Sequence, residues 1–300
     1  EYKYDGIRVQ LVITEQGKAL YSRTGDDISE SFPDVLAGIE EPGVIDGELL
    51  VINDGKIESF NALQQRLNRK KPTKKLIAER PAGIVLYDLL TDNDEDITSL
   101  PLIKRRQRLG HWLSRASADH LLISPVLSVS SNAQLQQTYA DAAADTGVEG
   151  LMLKRKDSNY QPGRPSGQWY KWKREALHLD AVVMYAQRGH GKRSSFYSDF
   201  TFGVWQDDTL LPIGKAYSGF NDEELKKLDN WVRRNAVGRF GPVREVKKEL
   251  VVEIAFDAIH PSSRHKSGVA LRFPRFHRIR WDKPASEADT LANARALIIE

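Results

Sequence analysis

The sequence predicts an α+β fold in two units, the first over residues 1–176 and the second over 177–300. Three observations carry that reading. Residues 43–51 and 82–90 are near-continuous apolar runs of strand length, the mark of strands covered on both faces, with amphipathic helical patterns between and after them. Beyond about residue 180 the pattern changes to short strands and turns with a single helix, which suggests a small barrel. Charge divides at the same place: residues 181–283 hold 19 Lys/Arg against 12 Asp/Glu, whereas residues 1–180 hold 24 against 26, within an overall net charge of +3. A basic barrel of short strands points to the OB type and to a polyanionic partner.

Three hundred residues exceed a typical single domain, and each unit is long enough to bury a core. Cysteine is absent, which excludes disulfides and thiolate metal ligation and fits a reducing, cytoplasmic interior. No window reaches the apolar length of a membrane span and no signal-peptide pattern is present, so no membrane partner is expected. The seven histidines show no metal-ligand spacing, and zinc is not expected. The chain opens without Met, already inside a strand pattern, so further sequence upstream is expected.

Glu1-Tyr2-Lys3-Tyr4-Asp5-Gly6-Ile7-Arg8 begins a strand that residues 9–13 continue, so that Lys3 and Asp5 share a face and Gly6 admits a close approach to the backbone. Residues 15–18 are a hairpin turn, and the return strand ends at residues 21–25. A short helix carries Phe32, Val35, Leu36 and Ile39. In the strand at 43–51, Asp46 and Glu48 are two apart and share a face. Residues 60–75 read as a basic helix leading into a loop, 101–115 as an amphipathic basic helix, and 132–146 as a helix stopped at Gly147. Strands follow at 148–154, bearing Glu149, and at 169–173, with Lys171 and Lys173 on one face. Residues 174–180 are the expected hinge. Short strands at 181–186, 200–205, 212–217 and 250–255 and a helix at 221–235 fill the second unit.

Lys3 is the candidate nucleophile. An unperturbed lysine titrates at about 10.4 and attacks only where burial or neighbouring cations favour the neutral amine. Lys171 and Lys173 offer such cations and can also hold phosphates. Asp46, Glu48 and Glu149, set among Gly and aliphatics, suit an oxygen-ligated divalent ion such as Mg2+. Tyr87 offers a face on which a base could stack. Together these are the parts needed for lysine attack on a nucleoside triphosphate, with positioning and charge neutralisation supplying most of the catalysis. Taken singly, each part has a plainer reading: an edge lysine, a solvated turn, a core tyrosine, a polar sheet face.

Their order carries more weight. Lys3-Tyr4-Asp5-Gly6-Ile7-Arg8, Ser22-Arg23, Asp46-Gly47-Glu48, Tyr87-Asp88, Glu149-Gly150-Leu151-Met152-Leu153-Lys154, Lys171-Trp172-Lys173 and Arg280-Trp281-Asp282-Lys283 follow one another across nearly the whole chain. In this the chain resembles the ATP-dependent DNA ligases of the covalent nucleotidyltransferase superfamily, and the wording Ser59-Phe60-Asn61-Ala62-Leu63-Gln64-Gln65-Arg66 is similar to their bacterial branch.

The resemblance implies a nucleotidyltransferase domain, ATP-grasp-like with mainly antiparallel sheets and helices, followed by an OB-fold domain with a C-terminal helix. It implies that Lys3 takes AMP, that Glu1 and the backbone at Tyr2 meet the adenine edge, and that Tyr87 stacks on the ring. Arg8 and Arg23 would contact ribose, phosphates or nick ends; Glu48 would lie by the ribose and, with Glu149, touch Mg2+ or Mn2+. Lys171 and Lys173 would contact the α-phosphate with Lys154 close by, and Arg280, Asp282 and Lys283 would orient the departing pyrophosphate. Arg23, Arg66, Arg272 and Arg275 would face DNA. The implied partner is nicked duplex DNA, sealed by a monomer in the cytoplasm at the nucleoid, with a helical DNA-binding domain upstream. Two alternatives stay open: an RNA ligase or GTP-using capping-type enzyme, against which Arg272-Phe273-Pro274-Arg275 favours DNA, and a non-catalytic DNA-binding fragment.

Overall fold

A computed structural model describes residues 1–298 except 68, 146 and 164, with the backbone alone at 143 and 144. The chain divides into two compact units, Glu1–Arg174 and Glu175–Glu300.

In the first unit, β1 (Tyr2–Tyr4) is followed by the hairpin of β2 (Ile7–Thr14) and β3 (Gly17–Ser22), in which alternate residues Val9, Leu11 and Ile13 are buried. Pro33 opens the single turn of α1 (Pro33–Leu36), which buries Val35 beside Phe32 and Ile39. The apolar run at 43–51 is β4 (Gly43–Asn53), folded back through Asp54-Gly55 into β5 (Lys56–Ile57). Where one basic helix is expected there are two short ones, α2 (Phe60–Gln64) and α3 (Lys74–Glu79). Pro72 cannot continue a helix, and Thr73 restarts one by accepting the Leu76 N–H at 3.2 Å. The second apolar run is β6 (Ala82–Asp92), returning as β7 (Glu95–Asp96). Helix α4 (Leu102–Ala116) buries Leu102, Arg105, Leu109, Trp112 and Ala116, one stripe at spacings of three and four. Next come β8 (Leu121–Ile123), parallel to β6, and α5 (Asn132–Ala144), capped by Ser131; residue 146, where that helix was expected to end, lies outside the described residues. Strands β9 (Val148–Lys154) and β10 (Trp169–Lys173) complete the unit.

These strands form two sheets, a larger one in the order β3-β2-β4-β6-β7 and a smaller one in the order β1-β9-β10. The opening stretch is therefore not one strand. Register slips between Lys3 and Tyr4, the Asp5 N–H donates to the Gly147 carbonyl at 3.0 Å, and past Gly6 the chain joins the other sheet. Lys3 and Asp5 do not share a strand face. Gly6 makes room for β4: a Cβ there would run into the Leu49 carbonyl oxygen.

The second unit begins with the long β11 (Leu177–Arg188), followed by β12 (Tyr197–Gln206) and β13 (Thr209–Ala216). Helix α6 (Asp222–Asn235) starts at a capping box in which Asn221 and Glu224 serve each other's backbone. Then follow β14 (Ala236–Phe240), β15 (Val243–Val246), β16 (Val251–Phe256), β17 (Ala258–Pro261), β18 (Val269–Arg272), β19 (Arg275–Arg280) and the short α7 (Leu291–Ala296). One side of β11 pairs with β12. Its other side pairs with β16 through Leu177–Val182 and with β15 through Tyr185–Gln187, so the antiparallel sheet curls about it into the OB-type barrel. Phe200, Phe220 and Phe276 pack edge to face at its centre, with centroids 5.2–6.0 Å apart.

Candidate active site

The small sheet of the first unit builds the site. Gly150 on β9 stands opposite Lys3 on β1 and opposite Lys173 on β10, so the ladder brings both lysines to the neighbouring Glu149. Lys3 donates to one carboxylate oxygen, and Lys173 lies 2.8 Å from the other. Gly150 has φ +136°, and a Cβ there would meet the Trp172 carbonyl oxygen, so only glycine lets the strands close at this point. Burial alone would raise the Glu149 carboxyl, but the hydrogen bonds from Lys173 and Lys3 outweigh it and hold the group below its ordinary range.

Lys171 lies in the field of Lys3, Arg23 and Lys173; burial first and then these like charges lower its ammonium. Glu48 is half-buried on β4 in the field of Lys3 and Glu149. Its burial dominates and pushes its carboxyl up to about 7, with Lys3 and the Gly6 N–H pulling the other way and Glu149 and Asp5 adding to the rise. One patch therefore holds Lys3, Glu48, Glu149, Lys171, Lys173 and Arg23.

Several expected residues stand elsewhere or are engaged differently. Asp46 shares β4 with Glu48 but is 1 % exposed, and it accepts from Arg8 at 2.6 Å, Gln10 at 3.1 Å and Tyr160 at 3.2 Å. It anchors Arg8: burial is the largest single influence and disfavours the charge, but Asp46, Tyr87 and Tyr160 together outweigh it and raise the guanidinium above its ordinary value. The Glu1 carboxylate is bound by Lys154 at 2.8 Å and approached by Arg106 at 3.8 Å, while its backbone pairs with Met152 on β9. Lys154, 6 % exposed, does not join the other lysines. Its ammonium lies 4.6 Å from the Tyr87 ring centroid and 4.2 Å from that of Trp169, and burial depresses its pKa despite Glu1. Tyr2 packs with Tyr4 and Trp172 beneath the small sheet.

Arg66, expected to face DNA, lies inside the first unit. It is wholly buried; its guanidinium forms a bidentate pair with Asp34 at 2.8 and 3.0 Å and also donates to the Arg80 and Ser31 carbonyls. It braces the fold and has no surface to offer DNA.

In the second unit, Arg280 is paired with Asp282 at 3.0 Å and lies 3.5 Å from Asp180, while Lys283 reaches the same Asp180 oxygen at 2.7 Å. Asp180 thus holds two of the expected pyrophosphate-orienting cations together. Arg275 pairs with Asp257 at 2.9 Å, and between it and Arg272 stands Phe273, 65 % exposed at φ +52°, the tip of the β18–β19 turn. Tyr160, Trp169, Arg106 and Asp180 are positioning residues that no spacing signals. All but Trp169, which stands opposite Lys154 on the neighbouring strand, lie far in sequence from the group they hold.

A family model described as "ATP dependent DNA ligase domain" matches residues 1–173, and one described as "ATP dependent DNA ligase C terminal region" matches residues 193–283. A "Probable DNA ligase" of Koribacter versatilis is 39% identical over 321 residues, covering 99% of this chain and 56% of its own length. A "DNA ligase" of Methanoculleus marisnigri is 33% identical over 295 residues, covering 97% of this chain and 53% of its own length. The chain spans about half the length of these relatives. Among solved structures, "Pmar-Lig_PreS3" aligns with TM-score 0.71 at 20% identity over 93% of this chain and 62% of that one. A structure from a structure–function analysis of Lig E DNA ligases aligns with TM-score 0.65 at 20% identity, over 93% and 91%. These two likenesses concern the fold. With the lysine and its carboxylate in place and matches across both units, the chain belongs to the ATP-dependent DNA ligase family.

Proposed function

We propose that the chain is the catalytic part of an ATP-dependent DNA ligase that seals 5′-phosphate/3′-hydroxyl nicks in duplex DNA. The observation that supports this best is Glu149 held between Lys3 and Lys173 beside Lys171, Arg23 and Glu48. In the first step the Lys3 nitrogen attacks the α-phosphorus of ATP, a P–N bond forms, and the bond to the β-phosphate oxygen breaks to release pyrophosphate. The 5′-phosphate of the nick then displaces Lys3 and takes AMP; the 3′-hydroxyl attacks that phosphate and AMP leaves. Lys3 must quit Glu149 and lose a proton before it can attack, since an ion-paired ammonium has no lone pair to give. Lys171 and Lys173 then neutralise the α-phosphate, and Arg280 and Lys283 the pyrophosphate.

Glu149 and Glu48 are oxygen donors of the kind Mg2+ or Mn2+ takes, and such an ion would supply charge neutralisation at the phosphates. Arg8 and Arg23 are assigned to the ribose, phosphates or nick ends, Tyr87 to the base, and Glu1 with Tyr2 to the adenine edge. Arg272 and Arg275 are assigned to the DNA backbone. Action as a monomer at the nucleoid, together with an upstream DNA-binding domain, belongs to the same reading. None of the described helices is long and apolar enough to cross a membrane.

The test is labelled ATP or GTP with Mg2+, followed by denaturation. Label from ATP should stay on the unmodified chain and be absent from Lys3→Ala. No retained label sinks the proposal, and label from GTP alone moves the chain to capping chemistry.

A further inference from the structure

The barrel carries a cluster that ligation does not use. We propose that His178, Glu253 and His277 form a binding site for a late first-row divalent cation, Zn2+ foremost. The three residues come from three neighbouring strands, β11, β16 and β19, and their ligand atoms all lie within 4.8 Å of one another. The two imidazole centroids are 4.6 Å apart, with the rings tilted by 33°.

The backbone sets this up. Leu179 and Ile254 point into the core, so His178 on β11 and Glu253 on β16 point outward, two residue pairs apart in the ladder. On β19 the core residue is Phe276, paired with Ile254, while Arg278 is paired with Glu253. Register slips between those two pairs, and His277 is the extra residue in the slip. Such a bulge turns a side chain away from strict alternation, and here it delivers the second imidazole to the first. Sequence spacing shows nothing of this, because the three ligands are separated by 75 and 24 residues.

Two imidazoles with one carboxylate, leaving a position for water, suit Zn2+, Ni2+ or Cu2+ and not Mg2+, which takes oxygen donors. Tetrahedral ligands around Zn2+ lie about 3.3 Å apart for bonds of ~2.0 Å, and both histidines are exposed enough to rotate that distance. Charge sets a limit. Arg278 faces Glu253 across the ladder and Arg280 lies in its field, and both cations oppose a dication. Asp180 and Asp282 draw Arg280 toward themselves. The site should therefore bind more weakly than a closed four-ligand zinc site. Bound, the cation would tie β11 to β19 across β16 and staple the barrel at the strand that ends in Arg280.

The test uses the whole chain, free of affinity tags, titrated with Zn2+ by calorimetry and with Co2+ by visible absorption, with Mg2+ as control. One equivalent of Zn2+ should bind, Co2+ should give ligand-field bands, and the melting temperature should rise with Zn2+ but not with Mg2+. His277→Ala and His178→Ala, both exposed substitutions, should each weaken binding at least tenfold and abolish the Co2+ bands and the thermal shift, while melting like the parent without metal. Binding that survives His277→Ala unchanged, or no Zn2+ uptake by the parent, overturns the proposal. Neither result touches the ATP-labelling test.

Discussion

Glu48 and Asp180 each give the proposed function a consequence at the scale of one residue. The Glu48 carboxyl stands near 7 in the folded chain and returns to its ordinary value near 4.5 when unfolded. A folded-state value raised in this way favours folding below pH 4.5 and loses that contribution as pH climbs through 7. Glu48→Gln should therefore raise the melting temperature by ~2–4 °C or more at pH 8 and change it little at pH 5; equal shifts at both pH values would contradict the assignment. At Asp180 the consequence is kinetic. Asp180→Asn frees Arg280 and Lys283 from a shared partner, so self-adenylation should slow by about tenfold to a hundredfold. Sealing of a nick already carrying AMP should be unaffected, because no pyrophosphate leaves in that step. Equal losses in both assays would make Asp180 a general structural residue.

Among elements, the apolar runs, the helix at 221–235 and the hairpin turn were legible because each is a local pattern, and they are β4, β6, α6 and the β2–β3 turn. What escaped was partnership. Arg66 sits in a basic stretch, which reads as surface, yet Asp34, some thirty residues earlier, draws it fully inside. Arg66→Ala leaves that carboxylate with its chief cation gone and should cost about 3–5 kcal/mol in urea unfolding, with the salt dependence of DNA binding unchanged. A stable variant with a shallower salt dependence would return Arg66 to the DNA. The opening stretch shows the same limit. Residues 2–13 alternate like one strand, and only the backbone bond from Asp5 to Gly147 reveals a change of sheet. At the site itself, Lys3, Glu149 and Lys173 were legible as types and order, but nothing in their spacing says that the two lysines share one carboxylate.

For the whole molecule, the uneven charge has a measurable outcome. If the basic second unit engages phosphates, the affinity for nicked DNA should fall steeply with salt, and Arg275→Ala should lower the log–log slope by about 1. A flat response would contradict that role. The pairing around Gly150 has a further consequence. A carboxylate has two oxygens, and here a tethered ammonium occupies each, so the pocket behaves as an ion exchanger loaded with its own counterions. Lys3 and Lys173 leave Glu149 at low cost only if the incoming ligand offers them anions while another cation takes their place. Under the proposed function, nucleotide and dication would therefore enter as one neutralising pair, each raising the affinity for the other, and ATP without a metal should find the lysines still at home.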